Sequence, residues 1–396
     1  MKKGWEIKRL GDVCRVVGGG TPPKNNPAYY AGDIPWATVR DMRSEVITET
    51  EFRITKDAVK QSSTNVIPKD NVVIATRVGL GKVCLLAQDT AINQDLRGIL
   101  PIDSSVLLVR FLFWWFKSIT DTITAAGKGA TVQGVTLPFI KSLPIPLPPL
   151  PEKKRIVGIL DEAFEGIAVA EANAEKNLQN TRELFESHLN AVFEEAWQQS
   201  DKVTLSDLAT DITDGDHQPP PKALSGVPFI TIGNIVKATR RIDFTDTFMV
   251  PDDYYNTLRP YKKPKLGDVL YTVTGSYGIP VMITEDVRFC FQRHIALVRP
   301  KPDIHSSWLY FLLLSPQVFR QAHEGATGTA QKTVSLRLLR NIVVPKVPLR
   351  QQKKASLKLE TLAAETHRLE SLYQQKLDAL DALKKSFLHQ AFSGGL

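Results

Sequence analysis

The sequence predicts an α+β protein built by duplication, with two mixed domains in tandem and one long helix after each. Three observations predict it. A Pro-studded stretch, LPIPLPPLPEKKRIVGIL (143–160), gives way at Glu152 to about 45 residues without Pro. Alternating Pro keeps the chain extended, and a helix cannot continue through it. A second such stretch, NIVVPKVPLRQQKKASL from Asn341, feeds another Pro-free run to the chain end. Third, segments of the first half recur in order in the second at offsets of 193–199 residues, the mark of a repeated unit. The expected organisation is a domain over 1–150, a helix over 151–200, a second domain over 201–349 and a second helix over 350–396.

Taken in order, RLGDV (9–13) matches TLSDL (204–208) as a strand entering a turn. IPWATVRDM (34–42) matches VPFITIGNI (227–235), a buried strand running into a polar loop. PKDNVVIATRVGLGKVCLL (68–86) matches KLGDVLYTVTGSYGIPVMI (265–283) as strand, Gly-bearing turn and strand. INQDLRGILP (92–101) matches FQRHIALVRP (291–300), with Gln94 set opposite Gln292. The apolar runs RFLFWWFKS (110–118) and WLYFLLLSP (308–316) predict short buried helices. GATVQGVTL (129–137) matches GTAQKTVSL (328–336), with Gln133 opposite Gln331.

Both long helices carry a heptad seam. In the first, small or apolar residues fall at Leu160, Ala163, Ile167, Ala170 and Ala174, continuing through Thr181, Leu184 and Ala191. In the second they run Leu359, Leu362, Thr366, Leu369, Tyr373, Lys376, Leu380, Leu383 and Phe387. A helix of 45 residues is about 65 Å long at 1.5 Å per residue, more than a 150-residue domain covers, so the two are expected to pack on each other. Net charge supports this: −5 over residues 151–200 and +3 over 350–396.

The two domains carry +6 (1–150) and +4 (201–349), a basic balance suited to phosphates. No apolar run approaches the roughly 18 residues a membrane span needs, and Cys14, Cys84 and Cys290 lie too far apart for a CxxC motif. Buried thiols in a reducing cytoplasm are the expectation. The chain contains neither G-x-x-x-x-G-K-[ST] nor G-x-G-x-x-G after a strand, and its seven His have no metal-ligand spacing. Asp214 and Asp216 beside His217 come nearest to a catalytic site, and Asx-turn chemistry accounts for them equally well.

The chemistry on offer is that of binding, from polar, basic, Gly-rich loops at matching places in both halves. The first half offers Thr21, Lys24, Arg40, Arg43, Arg77, Lys82, Gln94, Lys128 and Gln133. The second offers Lys222, Asn234, Lys237, Arg240, Thr274, Tyr277, Arg293, Gln331 and Lys332. Arg and Lys suit guanine edges or phosphate, and Gln or Asn suits adenine in the major groove. Two readers of different sequence on one scaffold would show matched framing strands and unmatched loops. A coiled-coil protein scaffold with incidental basic charge, and an enzyme of unrecognised type, are the alternatives.

Gly20-Thr21-Pro22, Ile34-Pro35-Trp36, Gln133, Ile145 to Glu152, then Ser187, Leu189 and Phe193 carry a resemblance, as do Gln331, Val344 to Gln351, Ser386, Leu388, Phe392 and Gly394. In order and duplication they resemble the specificity subunit of type I restriction–modification enzymes across essentially the whole chain. The second half departs from the pattern, with Val347 and Gln351 where the first has Pro148 and Glu152, and His217-Gln218-Pro219 in place of the Thr-Pro loop. The resemblance implies two target recognition domains, each reading half of a split, asymmetric site in double-stranded DNA. It further implies an antiparallel coiled coil as spacer, docking two methyltransferase and two restriction (translocase) subunits. S-adenosylmethionine, ATP and Mg are expected on those partners, with no cofactor and no catalysis on this chain. Leu184, Leu189, Phe193, Leu383, Leu388 and Phe392 are the residues expected to meet them. About 40 ordered helical residues, roughly 60 Å, cap the half-site separation near 18 base pairs at about 3.4 Å each.

Overall fold

The computed structural model describes residues 4–127, 134–218, 220–329 and 331–396. The chain divides into two compact units, Met1–Glu175 with Gln375–Leu396, and Lys176–Gln374. Helices run over Leu150–Gln199 and Leu349–Ser393, so each unit takes part of both.

In the first unit, five strands order as Cys14–Gly18, Leu96–Pro101, Val72–Ala75, Val83–Leu86 and Val46–Ile47, antiparallel except for the last pair. A second sheet orders Phe52–Ile54, Ile34–Ala37, Thr90–Ile92 and Asn65–Ile67, with a parallel central pair. Val72–Ala75 is buried at every residue, as β-branched residues covered on both faces should be. The apolar run forms the helix Val109–Ser118, with Phe111 to Phe116 all buried. It shares one core with the five-stranded sheet, Leu160 of the central helix and Ala391 of the C-terminal helix. Trp114 Nε1 and Arg110 Nε both donate to Asp161 Oδ1 at 2.7 Å. The Pro-rich exit Pro144–Leu147 pairs antiparallel with Glu6–Arg9 and closes the domain on its own first strand. Pro is tolerated there because a two-stranded ladder leaves its missing N–H facing outward.

The second unit repeats the plan with changes. Four strands order as Ala209–Asp214, Ile295–Pro300, Val269–Thr272 and Pro280–Met282, and three as Phe248–Val250, Val227–Ile230 and Cys290–Phe291. Lys202–Thr204 pairs with the exit strand Val343–Pro345. Helix Ser306–Leu314 packs into a core with Phe193 of the central helix and Leu359 of the C-terminal helix.

Within each unit the two long helices run antiparallel. In the first, Arg155 reaches the Leu396 carbonyl at 2.8 Å and Glu171 pairs with Lys384 at 2.5 Å. In the second, Arg182 pairs with Glu370 at 3.4 Å. The seam departs from the predicted heptads. Leu184, Ala191, Lys376 and Leu383 are exposed, and the inward positions are Thr181, Phe185, Leu189 and Phe193 on one helix, and Tyr373, Leu377, Leu380 and Lys384 on the other. On the first helix these positions face the domain as well as the other helix: Phe185 lies 6.3 Å from Phe311 and Phe193 4.7 Å from Trp308, in one core with Leu359.

Cys14, Cys84 and Cys290 are all free and buried. Burial pushes the thiols of Cys14 and Cys290 up to about 12 and that of Cys84 to about 11, far from reactive thiolates. No helix of the described residues is long and apolar enough to cross a membrane.

Candidate nucleic-acid interface

Backbone hydrogen bonds stitch the polar loops together in the same way in both units. In the first, Gly20 N donates to Ile92 O (3.0 Å), Asn93 N to Ala37 O (3.0 Å), Thr76 N to Asp95 O (2.8 Å) and Val135 N to Thr76 O (2.8 Å). In the second, Asp216 N donates to Phe291 O (2.9 Å), Gln292 N to Ile230 O (3.0 Å), Val273 N to His294 O (2.9 Å) and Val334 N to Val273 O (2.8 Å). Five loops far apart in sequence thus lie side by side in each unit. The close approach requires Gly: a Cβ on Gly19 would sit 2.1 Å from Asn93 O, and one on Gly215 1.9 Å from Phe291 O.

These bonds also fix the equivalences. Asn93, not Gln94, is the counterpart of Gln292, and Gln94 corresponds to Arg293. The expected Gln94–Gln292 match is therefore corrected by one residue. Lys128 and Gln133 lie outside the described residues.

After strands Ile34–Ala37 and Val227–Ile230 the chain makes the same capped turn. Asp41 Oδ2 accepts from Thr38 N (2.7 Å), and Asn234 Oδ1 accepts from Thr231 N (2.9 Å). Asn234 also donates to Asp246 O at 2.8 Å and is buried. It is a structural cap with no free edge for a base, which corrects its expected place among the contact residues.

In the first unit Lys24, Arg40, Arg43, Arg77, Lys82 and Gln94 are exposed, and Thr21 is half-buried with its hydroxyl donating to Gln94 Oε1. Arg40 stands 3.6 Å from Glu51, Arg43 Nε donates to Arg40 O (3.0 Å), and Lys82 Nζ to Met42 O (3.3 Å). Arg97 donates to the Gln94 and Leu96 carbonyls at 2.8 and 2.7 Å. Burial, then the charge of Arg77, pull its guanidinium pKa down, with Asp95 opposing. A guanidinium that already feels a second positive charge gains from a nearby anion.

In the second unit Lys222, Lys237, Arg293, Gln331 and Lys332 are exposed. Lys222 Nζ lies 5.1 Å over the Phe248 ring. Lys237, Thr274 and Gln331 converge on one cleft of about 450 Å³, joined by His294. Tyr277 is half-buried, its hydroxyl 2.6 Å from His323 Nδ1 and its ring stacked on Phe319. Arg240 sits in the left-handed region (φ 51°), between strands Ile235–Val236 and Arg241–Ile242.

One arrangement was missed from the sequence, a tether around Asp216; Arg97 and His294 lie in the loops INQDLR (92–97) and QRH (292–294), which the sequence does offer for binding. Lys262 Nζ reaches Gly215 O (3.3 Å) and Asp216 Oδ1 (3.7 Å), and Tyr254 Oη donates to Asp216 Oδ2 (2.6 Å). Burial first, then Asp216, raise the Tyr254 pKa. The equivalent loop of the first unit is held by neutral donors, Thr64 Oγ1 (2.7 Å) and Trp36 Nε1 (3.1 Å) on Gly20 O. The basic run RPYKKPK (259–265) was the available signal. His217, beside it, pairs with Asp214 at 2.7 Å. Among the described residues no cluster of three or more His, Cys, Asp or Glu is set for a metal.

The residues expected to meet partners divide by burial. Leu189, Phe193 and Leu388 are core, at 4%, 0% and 9% exposure, and Phe392 packs on Phe111 at 5.2 Å. A side chain without open surface has nothing to offer a partner, so Leu189, Phe193 and Leu388 are corrected to core residues, while Phe392 is half-buried against that core. Leu184 and Leu383 stay open, at 55% and 43%.

Each unit is an α+β domain that carries the same stitched set of polar, basic loops and is followed by a long helix. The type I restriction modification DNA specificity domain matches the chain twice, over residues 2–179 and 201–379, and the chain belongs to that family. It is 34% identical to the EcoR124I/EcoR124II specificity subunit of Escherichia coli over 40% of this chain and 40% of that relative. It is 29% identical to the MjaIX specificity subunit of Methanocaldococcus jannaschii over 40% of this chain and 37% of that relative. These matches span about two fifths of each relative's length. The MjaVIII specificity subunit of the same organism aligns over 98% of this chain and 92% of its own, at 21% identity. Among solved structures, a chain from work on assembly and conformational transition of the type I R-M system superposes with TM-score 0.80 at 21% identity, covering 100% of this chain and 99% of that one. The HsdS subunit from Thermoanaerobacter tengcongensis gives 0.60 at 22%, covering 100% and 98%. At these identities the likeness is one of fold.

Proposed function

We propose that this chain is the non-catalytic, DNA-reading subunit of a type I restriction–modification complex. Residues 1–150 and 201–349 each read one half of a split, asymmetric site, and the helices 151–200 and 350–396 form the spacer between the readers. The observation that carries this reading is the same five-loop stitching in both units with different side chains mounted on it. A scaffold shared in geometry and unshared in loop chemistry suits two sequence readers. The contacts fall to Thr21, Lys24, Arg40, Arg43, Arg77, Lys82, Gln94, Lys128 and Gln133 for one half-site. Lys222, Lys237, Arg240, Thr274, Tyr277, Arg293, Gln331 and Lys332 serve the other.

Two methyltransferase subunits and two restriction subunits, with their S-adenosylmethionine, ATP and Mg, would assemble on it in the cytoplasm. A groove of about 540 Å³ on the second unit's helix pair, lined by Leu184, His188, Leu357 and Leu362, supports protein docking there.

DNA binding by the chain with its methyltransferase subunits, titrated with salt, tests this. Log affinity is expected to fall steeply and linearly with log salt. A flat response would favour the protein scaffold instead. On the same assay, Lys262→Met is expected to loosen loop 215–222 and weaken binding severalfold when the second half-site is varied. The first half-site should keep its preference, and Lys262→Arg should restore the second. Equal loss at both half-sites would rule out the tether.

A further inference from the structure

The cleft of the second unit has a floor unlike the rest of the loop surface. Ile232, Ile235 and Ile279 line it, and the last two belong to a core cluster with Phe289 and Phe291. Lys237, His294 and Gln331 line it as well, and their side chains make no hydrogen bond within the described residues. Gly275 (φ +72°) opens one wall, since a Cβ there would meet nothing within 4 Å. An apolar floor with donors beside it that no protein group engages suits a ligand edge carrying an alkyl group next to an acceptor.

Duplex DNA displays one such edge in the major groove. Thymine shows its C5-methyl beside the O4 acceptor, whereas cytosine shows an amino donor without the methyl, and purines show no alkyl group. We propose that this cleft is a thymine-reading subsite, taking the methyl on Ile232, Ile235 and Ile279 and O4 on Lys237 or Gln331. The assignment rests on the DNA-reading function proposed above and places a thymine in the second half-site. Stitching and capped turns make Val39, Arg77 and Asp95 the first unit's counterparts of Ile232, Thr274 and His294. Ala75 N donates to Lys82 O as Thr272 N does to Ile279 O, so the first unit sets charged Lys82 where the floor has Ile279, with Arg77 and Asp95 beside it, and the apolar subsite belongs to the second reader.

The test uses the chain with its methyltransferase subunits, on the sequence found by mapping methylated adenines. Each thymine, or thymine opposite adenine, is replaced singly by deoxyuridine, which removes only the methyl. One second-half position is expected to lose about fourfold in affinity, the fold-change for burying one methyl-sized group. Ile232→Ala, at a half-buried residue, is expected to erase that penalty, a coupling read as a double-mutant cycle. Gln331→Ala, at an exposed residue outside any core cluster, gives an independent arm by narrowing the preference for thymine over cytosine there. Deoxyuridine tolerated throughout the second half-site, or a penalty untouched by Ile232→Ala, overturns the subsite while specific binding, and the reading beneath it, stands. Loss of all sequence preference in the second half would overturn both.

Discussion

Phe193→Ala is expected to destabilise the second unit by about 3–5 kcal/mol and lower its melting temperature by roughly 6–20 °C. The ring has no exposed surface and lies 4.7 Å from Trp308, in a core that joins both long helices to the domain. Truncation leaves a cavity bounded by Trp308, a large side chain that cannot collapse into it. Leu184→Ala is the control. With its side chain 55% exposed, stability should stay within about 0.5 kcal/mol while capture of methyltransferase subunits weakens. Thermal melts beside co-purification read both. If Phe193→Ala melts with wild type yet fails to assemble, that residue faces a partner after all.

Arg77→Ala is expected to lower affinity for the DNA site about 5- to 150-fold, the span of a charged contact worth roughly 1–3 kcal/mol. Arg77 is exposed, and its charge helps hold down the pKa of half-buried Arg97. In the free protein the pair repels, so a phosphate or guanine edge gains from both cations at once. Removing either relieves the other, and Arg77→Ala with Arg97→Ala should cost less than the sum of the two. Binding followed against salt, on DNA permuted at each first-half base, separates the outcomes. A phosphate contact lowers the salt slope by about one and weakens all sequences alike, whereas a base contact relaxes one position. Loss of preference in the second half-site would show that the units do not read independently.

The duplication was legible because framing strands carry their apolar pattern wherever they sit. IPWA and VPFI form equivalent strands, and both Pro-rich exits pair with the first strand of their own domain. Register was harder to read. The offset is 193 at Trp36–Phe229 and 199 at Ile92–Phe291, so loop insertions slide the alignment between segments; within 92–101 the offset is constant, and pairing Gln94 with Gln292 followed residue type instead of position. The seam misled at Leu184 because a heptad template sees only a second helix, whereas Phe185, Leu189 and Phe193 pack against the domain core of Phe311 and Trp308. Asn234 shows the limit for single loop residues: its amide reads as a base contact in sequence, and only the fold turns it inward. The tether of Tyr254 and Lys262 to Asp216 spans 38 to 46 residues, beyond any local pattern.

The first unit is assembled from the two ends of the chain. Residues 1–175 come off the ribosome first, yet Leu388 and Ala391 complete their core and Arg155 grips the Leu396 carbonyl. The first domain made is thus the last to finish. While the second unit is synthesised and folds, Phe111 lacks the Phe392 ring that packs on it, leaving apolar surface open to chaperones or proteases. A chain lacking Gln375–Leu396 would keep every residue of the second unit and leave the first without the Leu388, Ala391 and Phe392 side chains that pack on it.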